Sequence, residues 1–135
     1  MEKLRENIIL GALLHDIGKF WQRAEPEAAL YKSHFLKKNT KDIIGDFCPK
    51  KKQRYSHIHS AWTYQFIADF EGALYRNNLA AEQSLITVAT AHHNPSTLIQ
   101  EIIQKSDWIS AGMDRSDTKD AIDEIEEEGK RSYNF

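Results

Sequence analysis

His15-Asp16 closes the apolar run Leu13-Leu14 and is followed by Ile17-Gly18-Lys19-Phe20, so an imidazole, a carboxylate, a glycine and an ammonium fall within one short stretch. Imidazole nitrogen and carboxylate oxygen are the donors that divalent Mn, Ni, Co, Fe or Zn accept. His57 and His59, the doublet His92-His93, and Asp107 follow at intervals that let each group lie on a separate helix. One or two such ions would polarise a phosphoryl oxygen and lower the pKa of bound water to about 7, which is hydrolytic chemistry.

The candidate ligands are His15, Asp16, His59, His92, His93 and Asp107. Neighbouring side chains on a helix diverge by about 100°, so His15-Asp16 can chelate one ion, or Asp16 can bridge two. His57 and His59 would face nearly opposite ways on one helix, and His59, which leads into the apolar face, is the one expected at the site. His34 sits among Lys32, Lys37 and Lys38 and is left out. His92 and His93 could equally answer a helix dipole at its C-terminus, and Asp107 could face solvent. Gly18-Lys19 reads two ways: glycine admitting a ligand beside the point charge of Lys19, or a helix C-cap with a surface lysine.

These residues need elements to hold them. Leu4, Ile8, Ile9, Ala12 and Leu13 recur at helical spacing, which predicts one amphipathic helix over about residues 2–20. From Glu25 to Ser56 no period is sustained, and Lys37, Lys38, Lys41, Lys50, Lys51, Lys52 and Arg54 make it a basic, partly helical connection. Trp62, Phe66, Ile67, Phe70 and Leu74 predict a helix from His59 to Asn77-Asn78, and Leu85, Ile86, Val88 and Ala89 a second over Ala80–His92. Asn94-Pro95 reads as the N-cap and first position of a third, with Leu98, Ile102, Ile103 and Trp108 or Ile109 as its apolar face and Gly112 as its stop. The stretch 117–128 is acidic and fits a solvated helix or a linker. No strand pattern of useful length and no internal repeat is found, so the expected fold is all-α.

At 135 residues, with 41% hydrophobic and 28% charged side chains, one domain with a real core is expected. A net charge of -2 argues against gripping nucleic acid by overall charge, leaving a local basic patch or the metal to do so. The single cysteine, Cys48, excludes a disulfide framework and suits a reducing compartment. Glu2, Lys3, Arg5 and Glu6 crowd the start, so no secretory leader is expected, and the chain reads as cytoplasmic.

His15-Asp16-Ile17-Gly18-Lys19-Phe20 resembles the signature of the HD superfamily of metal-dependent phosphohydrolases. His59-Ser60-Ala61-Trp62, Ala91-His92-His93-Asn94-Pro95 and the block from Ser106-Asp107-Trp108 to Met113-Asp114-Arg115 narrow the likeness. They are similar to the amino-terminal HD domain of the large subunit of type III CRISPR effector complexes, over about residues 6–116. The resemblance implies an HD-type helical bundle around a metal site, and cleavage of single-stranded DNA in antiviral interference alongside other subunits and guide RNA. It places His15, Asp16, His59, His92, His93 and Asp107 on metal-binding positions, with His15, Asp16 and Lys19 expected in catalysis. Other HD enzymes carry a lone His upstream of the pair; none precedes His15, which fits a circularly permuted motif order.

The expected organisation is an HD nuclease domain over 1–116 and an acidic helix or linker over 117–135 toward a following domain. Lys50, Lys51, Lys52 and Arg54 are the candidates for guiding a strand, with Tyr55 or Trp62 able to stack a base if exposed. Alternatives are a phosphohydrolase of small or cyclic nucleotides, and a docking module with weak catalysis.

Overall fold

The computed structural model describes residues 1–25, 32–73 and 83–112, and the chain divides into two units, Met1–Gln104 and Lys105–Phe135. The first unit is built from helices α1 (Glu2–Leu14), α2 (Gly18–Ala24), α3 (Lys38–Asp42), α4 (Ile44–Phe47), α5 (His59–Ala73) and α6 (Leu85–Thr90). Strands β1 (Lys50–Lys51) and β2 (Arg54–Tyr55) pair antiparallel, with Lys50 opposite Tyr55 and Lys51 opposite Arg54. The fold is all-α as expected, with this short pair of strands added to the helices. Two-residue strands, Lys50–Lys51 and Arg54–Tyr55, are too short to show an apolar alternation, so nothing in the pattern betrays them.

Helix α5 is the centre of the unit. Its stripe works as its spacing predicts: Ala61, Trp62 and Ile67 are buried, with Phe66 and Phe70 packed beside them. One core gathers Trp62 and Ala61 with Leu36, Ile44 and Cys48 from the connection; the other gathers Ile67 with Leu85 and Ala89 of α6 and Leu10 and Leu14 of α1.

The single helix expected over 2–20 is interrupted at 15–17. Thr63 of α5 causes the break. Its hydroxyl donates to the His15 carbonyl at 3.1 Å and accepts from the Gly18 amide at 3.1 Å, so a side chain stands in the helical ladder. Tighter bonds carry the chain through: the amides of Ile17, Lys19 and Phe20 reach the carbonyls of Leu14, Asp16 and Ile17.

The basic connection is held by two polar anchors. The Glu25 carboxylate accepts from Ser33 Oγ (2.6 Å), His34 N (2.6 Å), Phe35 N (3.3 Å) and Trp62 Nε1 (2.9 Å). Buried Gln65 accepts from Lys37 N and Thr40 Oγ1. A carboxylate taking several N–H bonds favours its charged form, and Glu25 titrates below the usual range even though burial opposes this. With its indole satisfied by Glu25, Trp62 is fully buried and not available to stack a base.

Two other boundaries move. Helix α6 starts at Leu85, where Ser84 Oγ accepts from Thr87 N, and its last turn, Ala91–His93, is a 3-10 turn; residues 80–82 lie outside the described residues. Asn94-Pro95 is not a helix start: helix begins at 98, with Thr97 Oγ1 accepting from Gln100 N at 3.4 Å. Of its expected apolar face in the first unit only Ile103 is buried, while Leu98 and Ile102 are exposed. In the second unit residues 105–112 are helical, Lys105 Nζ lies 4.0 Å from the centre of the Trp108 ring, and Trp108 and Ile109 are exposed. The acidic stretch 117–128 and the end of the helix begun at His59, from 74 onward, lie outside the described residues. No helix among the described residues is long and apolar enough to cross a membrane.

Candidate metal centre

Three helix ends deliver the site. The turn after α1 carries His15 and Asp16, the first residue of α5 is His59, and the 3-10 turn after α6 carries His92 and His93. Gly18 fixes the first of these against the second: a Cβ there would stand 2.2 Å from His59 O and 2.4 Å from Thr63 N. The backbone that this glycine admits is that of the protein's own α5, which replaces both the ligand-approach and the C-cap readings, since Gly18 opens α2.

One ligand atom each from Asp16, His59, His92 and His93 lies within 4.8 Å of all the others. His59 Nε2 is 3.1 Å from Asp16 Oδ1 and 3.2 Å from His93 Nε2; His15 Nε2 is 3.4 Å from Asp16 Oδ2. Lys19 Nζ lies 2.6 Å from Asp16 Oδ2. His15, half-buried, meets the ring of His92 edge-on at 4.7 Å. Asp107 is half-buried on the helical backbone of the second unit.

The donor chemistry fits a divalent ion. His92 is fully buried, and its Nδ1 donates to the Ala89 carbonyl at 2.9 Å, which leaves Nε2 as a lone pair. That Nε2 is buried without a hydrogen-bond partner among the described residues, and so is Asp16 Oδ1, which has only its 3.1 Å ion-pair contact with His59 Nε2. Orphaned buried acceptors cost about 1–3 kcal/mol each, and a cation bound among them removes that cost. His15 repeats the wiring, its Nδ1 donating to the Ala12 carbonyl at 2.6 Å.

Electrostatics keep the ligands in their binding forms. Burial works to raise the Asp16 carboxyl, but the close approach of His15, His59 and Lys19 to its oxygens overcomes it and holds the group ionised far below the usual carboxylate range. Burial, with His15 beside it, pushes His92 down to about 4, and burial with the neighbouring imidazoles pushes His93 down to about 2. Both are neutral at pH 7, as ligation requires. The unfolded chain takes up protons near pH 6.5 that the fold refuses, so stability rises with pH across this range. Metal-free protein is therefore expected to hold its full stability above about pH 6.5 and to lose it progressively toward pH 4. Thermal melts in chelator at pH 7.5, 6 and 5 check this; equal midpoints would contradict it.

His57, set aside on the assumption of a shared helix with His59, lies at the cluster. Its backbone is left-handed (φ 54) and precedes α5, and its ring stacks on that of His93 with centroids 4.0 Å apart and planes 30° apart. No periodicity could signal this, because the turn reverses the side chain. Lys50, Lys51, Lys52 and Arg54 stand exposed on the β1–β2 hairpin, whose second strand runs through Ser56 into His57. His34 is exposed and donates its amide to Glu25, apart from the cluster.

A search of curated proteins and a search of solved structures each gave no match. The HD domain family model matches residues 2–118, most of the chain and every residue of the cluster. On that match, and with a His/Asp cluster of metal-ligating type at its centre, the chain belongs to the HD domain family, whose members are metal-dependent hydrolases.

Proposed function

We propose that this HD domain is a metal-dependent phosphodiesterase that cleaves single-stranded DNA, working within a type III CRISPR effector complex beside other subunits and guide RNA. The observation that carries the hydrolytic part is the convergence of Asp16, His59, His92 and His93 within 4.8 Å, with His15 against Asp16. These residues would hold one or two ions of the Mn, Ni, Co, Fe or Zn class. An ion so held supplies Lewis acidity toward a phosphoryl oxygen and acidifies water. Asp107 joins the set in this proposal on the strength of the Ser106-Asp107-Trp108 resemblance alone.

The chain's own groups do the rest. Lys19 keeps Asp16 ionised through a 2.6 Å ion pair, and its half-exposed ammonium is available to a phosphate beside the carboxylate. Burial of His59 and His92 excludes bulk water from one side of the cluster.

Affinity for a polynucleotide strand rests on the hairpin in this reading. Lys51 and Arg54 are directly opposite one another, an unfavourable like-charge pair that an anion relieves, with Lys50 and Lys52 adjoining. The hairpin is followed directly along the chain by His57 and His59, which supports a route by which a strand held on it would reach the cluster. Replacing Lys50, Lys51 and Lys52 by Gln is expected to flatten the slope of log affinity against log salt by up to about 2, since each phosphate contact contributes about 0.7 on a single strand. An unaltered slope and affinity would reduce the hairpin to a solvated loop.

The isolated chain with Mn is expected to degrade end-labelled single strands far faster than duplex, because a duplex is too wide and stiff to bring a phosphate to recessed donors. Chelator and Asp16→Ala serve as controls against contaminating nuclease. Equal rates on both forms would contradict the reading, and phosphate release from mononucleotides without strand cleavage would move it to small nucleotides.

A further inference from the structure

We infer that His57 is a further metal ligand of this centre, taking a divalent transition-metal ion through Nε2 at the solvent-exposed edge of the cluster. The inference rests on the reading of the cluster as a metal site and adds to it a residue outside the Asp16–His59–His92–His93 group.

Three observations carry it. The first is the tautomer. Ser56 Oγ donates its one proton to the Pro49 carbonyl at 3.1 Å, so toward His57 Nδ1, also at 3.1 Å, it can only accept. Nδ1 therefore carries the hydrogen and Nε2 the lone pair. His15 and His92 are wired the same way, each giving Nδ1–H to a backbone carbonyl. A protein acceptor on the far nitrogen is what orients a ligating imidazole and raises its basicity.

The second is position. His57 lies over His93 with ring centroids 4.0 Å apart and is 6.2 Å from the ring of His59, and it is exposed where His59 and His92 are buried. The third is the backbone. A histidine at φ 54 is in a conformation that L residues seldom adopt, and only Lys52, in the hairpin turn, shares it among the described residues. The Ser60 amide and Cys48 Sγ both reach the His57 carbonyl, at 3.1 and 3.6 Å, so the turn is held from both sides while the ring projects onto His93. Strain held in this way at a cluster of ligating groups points to use of the side chain.

The test is titration of the full chain with Co(II) and Ni(II), read by calorimetry and by the Co(II) d–d absorption, with the melting midpoint in chelator as the check on folding. Two variants separate the roles of the ring. His57→Asn tolerates the left-handed backbone but removes the imidazole, and His57→Phe keeps a ring to stack on His93 but has no lone pair. Both are expected to lower affinity about tenfold or more, or to remove one binding event, and to change the Co(II) spectrum, with midpoints in chelator near that of the parent. Parent-like affinity, stoichiometry and spectrum in His57→Phe would overturn the inference and leave His57 as a stacking residue at most. His59→Ala, expected to lose the centre, is the control: if it binds poorly while both His57 variants bind normally, the metal site stands and this inference alone fails. No binding by the parent chain would overturn the metal reading itself, and this one with it.

Discussion

Asp16→Ala is expected to lower affinity for Mn or Ni by at least about 100-fold in calorimetric titration and to abolish phosphodiester cleavage, with helical content unchanged. The size follows from position. Asp16 is the one carboxylate in the cluster of the first unit: Oδ1 sits 3.1 Å from His59 Nε2, and Oδ2 lies against Lys19 and His15. Loss of residues that merely orient ligands costs about 10–100-fold in metal affinity, and loss of the anionic ligand itself should exceed that range. The imidazoles would then be neutral donors with no charge to offset the ion. Helix α1 loses little, because Asp16 lies beyond its end and its side chain is 31% exposed. The carboxyl's depressed pKa stabilises the fold above about pH 4, by an amount that solvent screening keeps modest at this exposure, so a small drop in melting midpoint near neutrality is expected. Unchanged metal affinity would sink the assignment of Asp16.

Why the ligand types were readable from sequence while their geometry was not is clearest at particular residues. His15, Asp16, His59, His92 and His93 announce themselves because imidazole and carboxylate beside apolar helical runs are uncommon combinations. The stripe of α5 was equally legible, since Trp62 and Ile67 recur at a spacing only a helix satisfies. The break at 15–17 was not, because it is made by Thr63, a residue 45 positions beyond Gly18 whose type carries no hint of the role. Glu25 is similar: a glutamate in a polar stretch gives no sign that four donors, one of them the buried Trp62 indole, converge on it. His57 escapes the helical spacing that would set it opposite His59, because α5 begins only at His59 and His57 lies in a left-handed conformation two residues before it. Long-range hydrogen bonds and single left-handed residues leave no periodic trace, and here they set where the ligands point.

Gly18→Ala is expected to be the most damaging small substitution in the first unit, destabilising by about 3 kcal/mol or more and lowering the melting midpoint by roughly 10 °C. The added Cβ would stand 2.2 Å from His59 O, 2.4 Å from Thr63 N and 2.6 Å from Thr63 Oγ1. Two of those atoms belong to the backbone of a helix and cannot swing aside. Separating α2 from α5 is the remaining relief, and it breaks the bonds by which Thr63 holds the Gly18 amide and the His15 carbonyl. The same displacement draws Asp16 away from His59, so metal affinity should fall together with stability even though no ligand has been changed. Gly112→Ala makes the comparison: its Cβ would meet nothing within 4 Å on helical backbone, where alanine is favoured by about 0.5–1 kcal/mol. Melting and Ni titration of the two variants side by side check the argument. A Gly18→Ala protein with the parent's midpoint and affinity would mean that the turn carrying His15-Asp16 is not docked on α5 through this glycine, and the geometry of the whole centre would have to be redrawn.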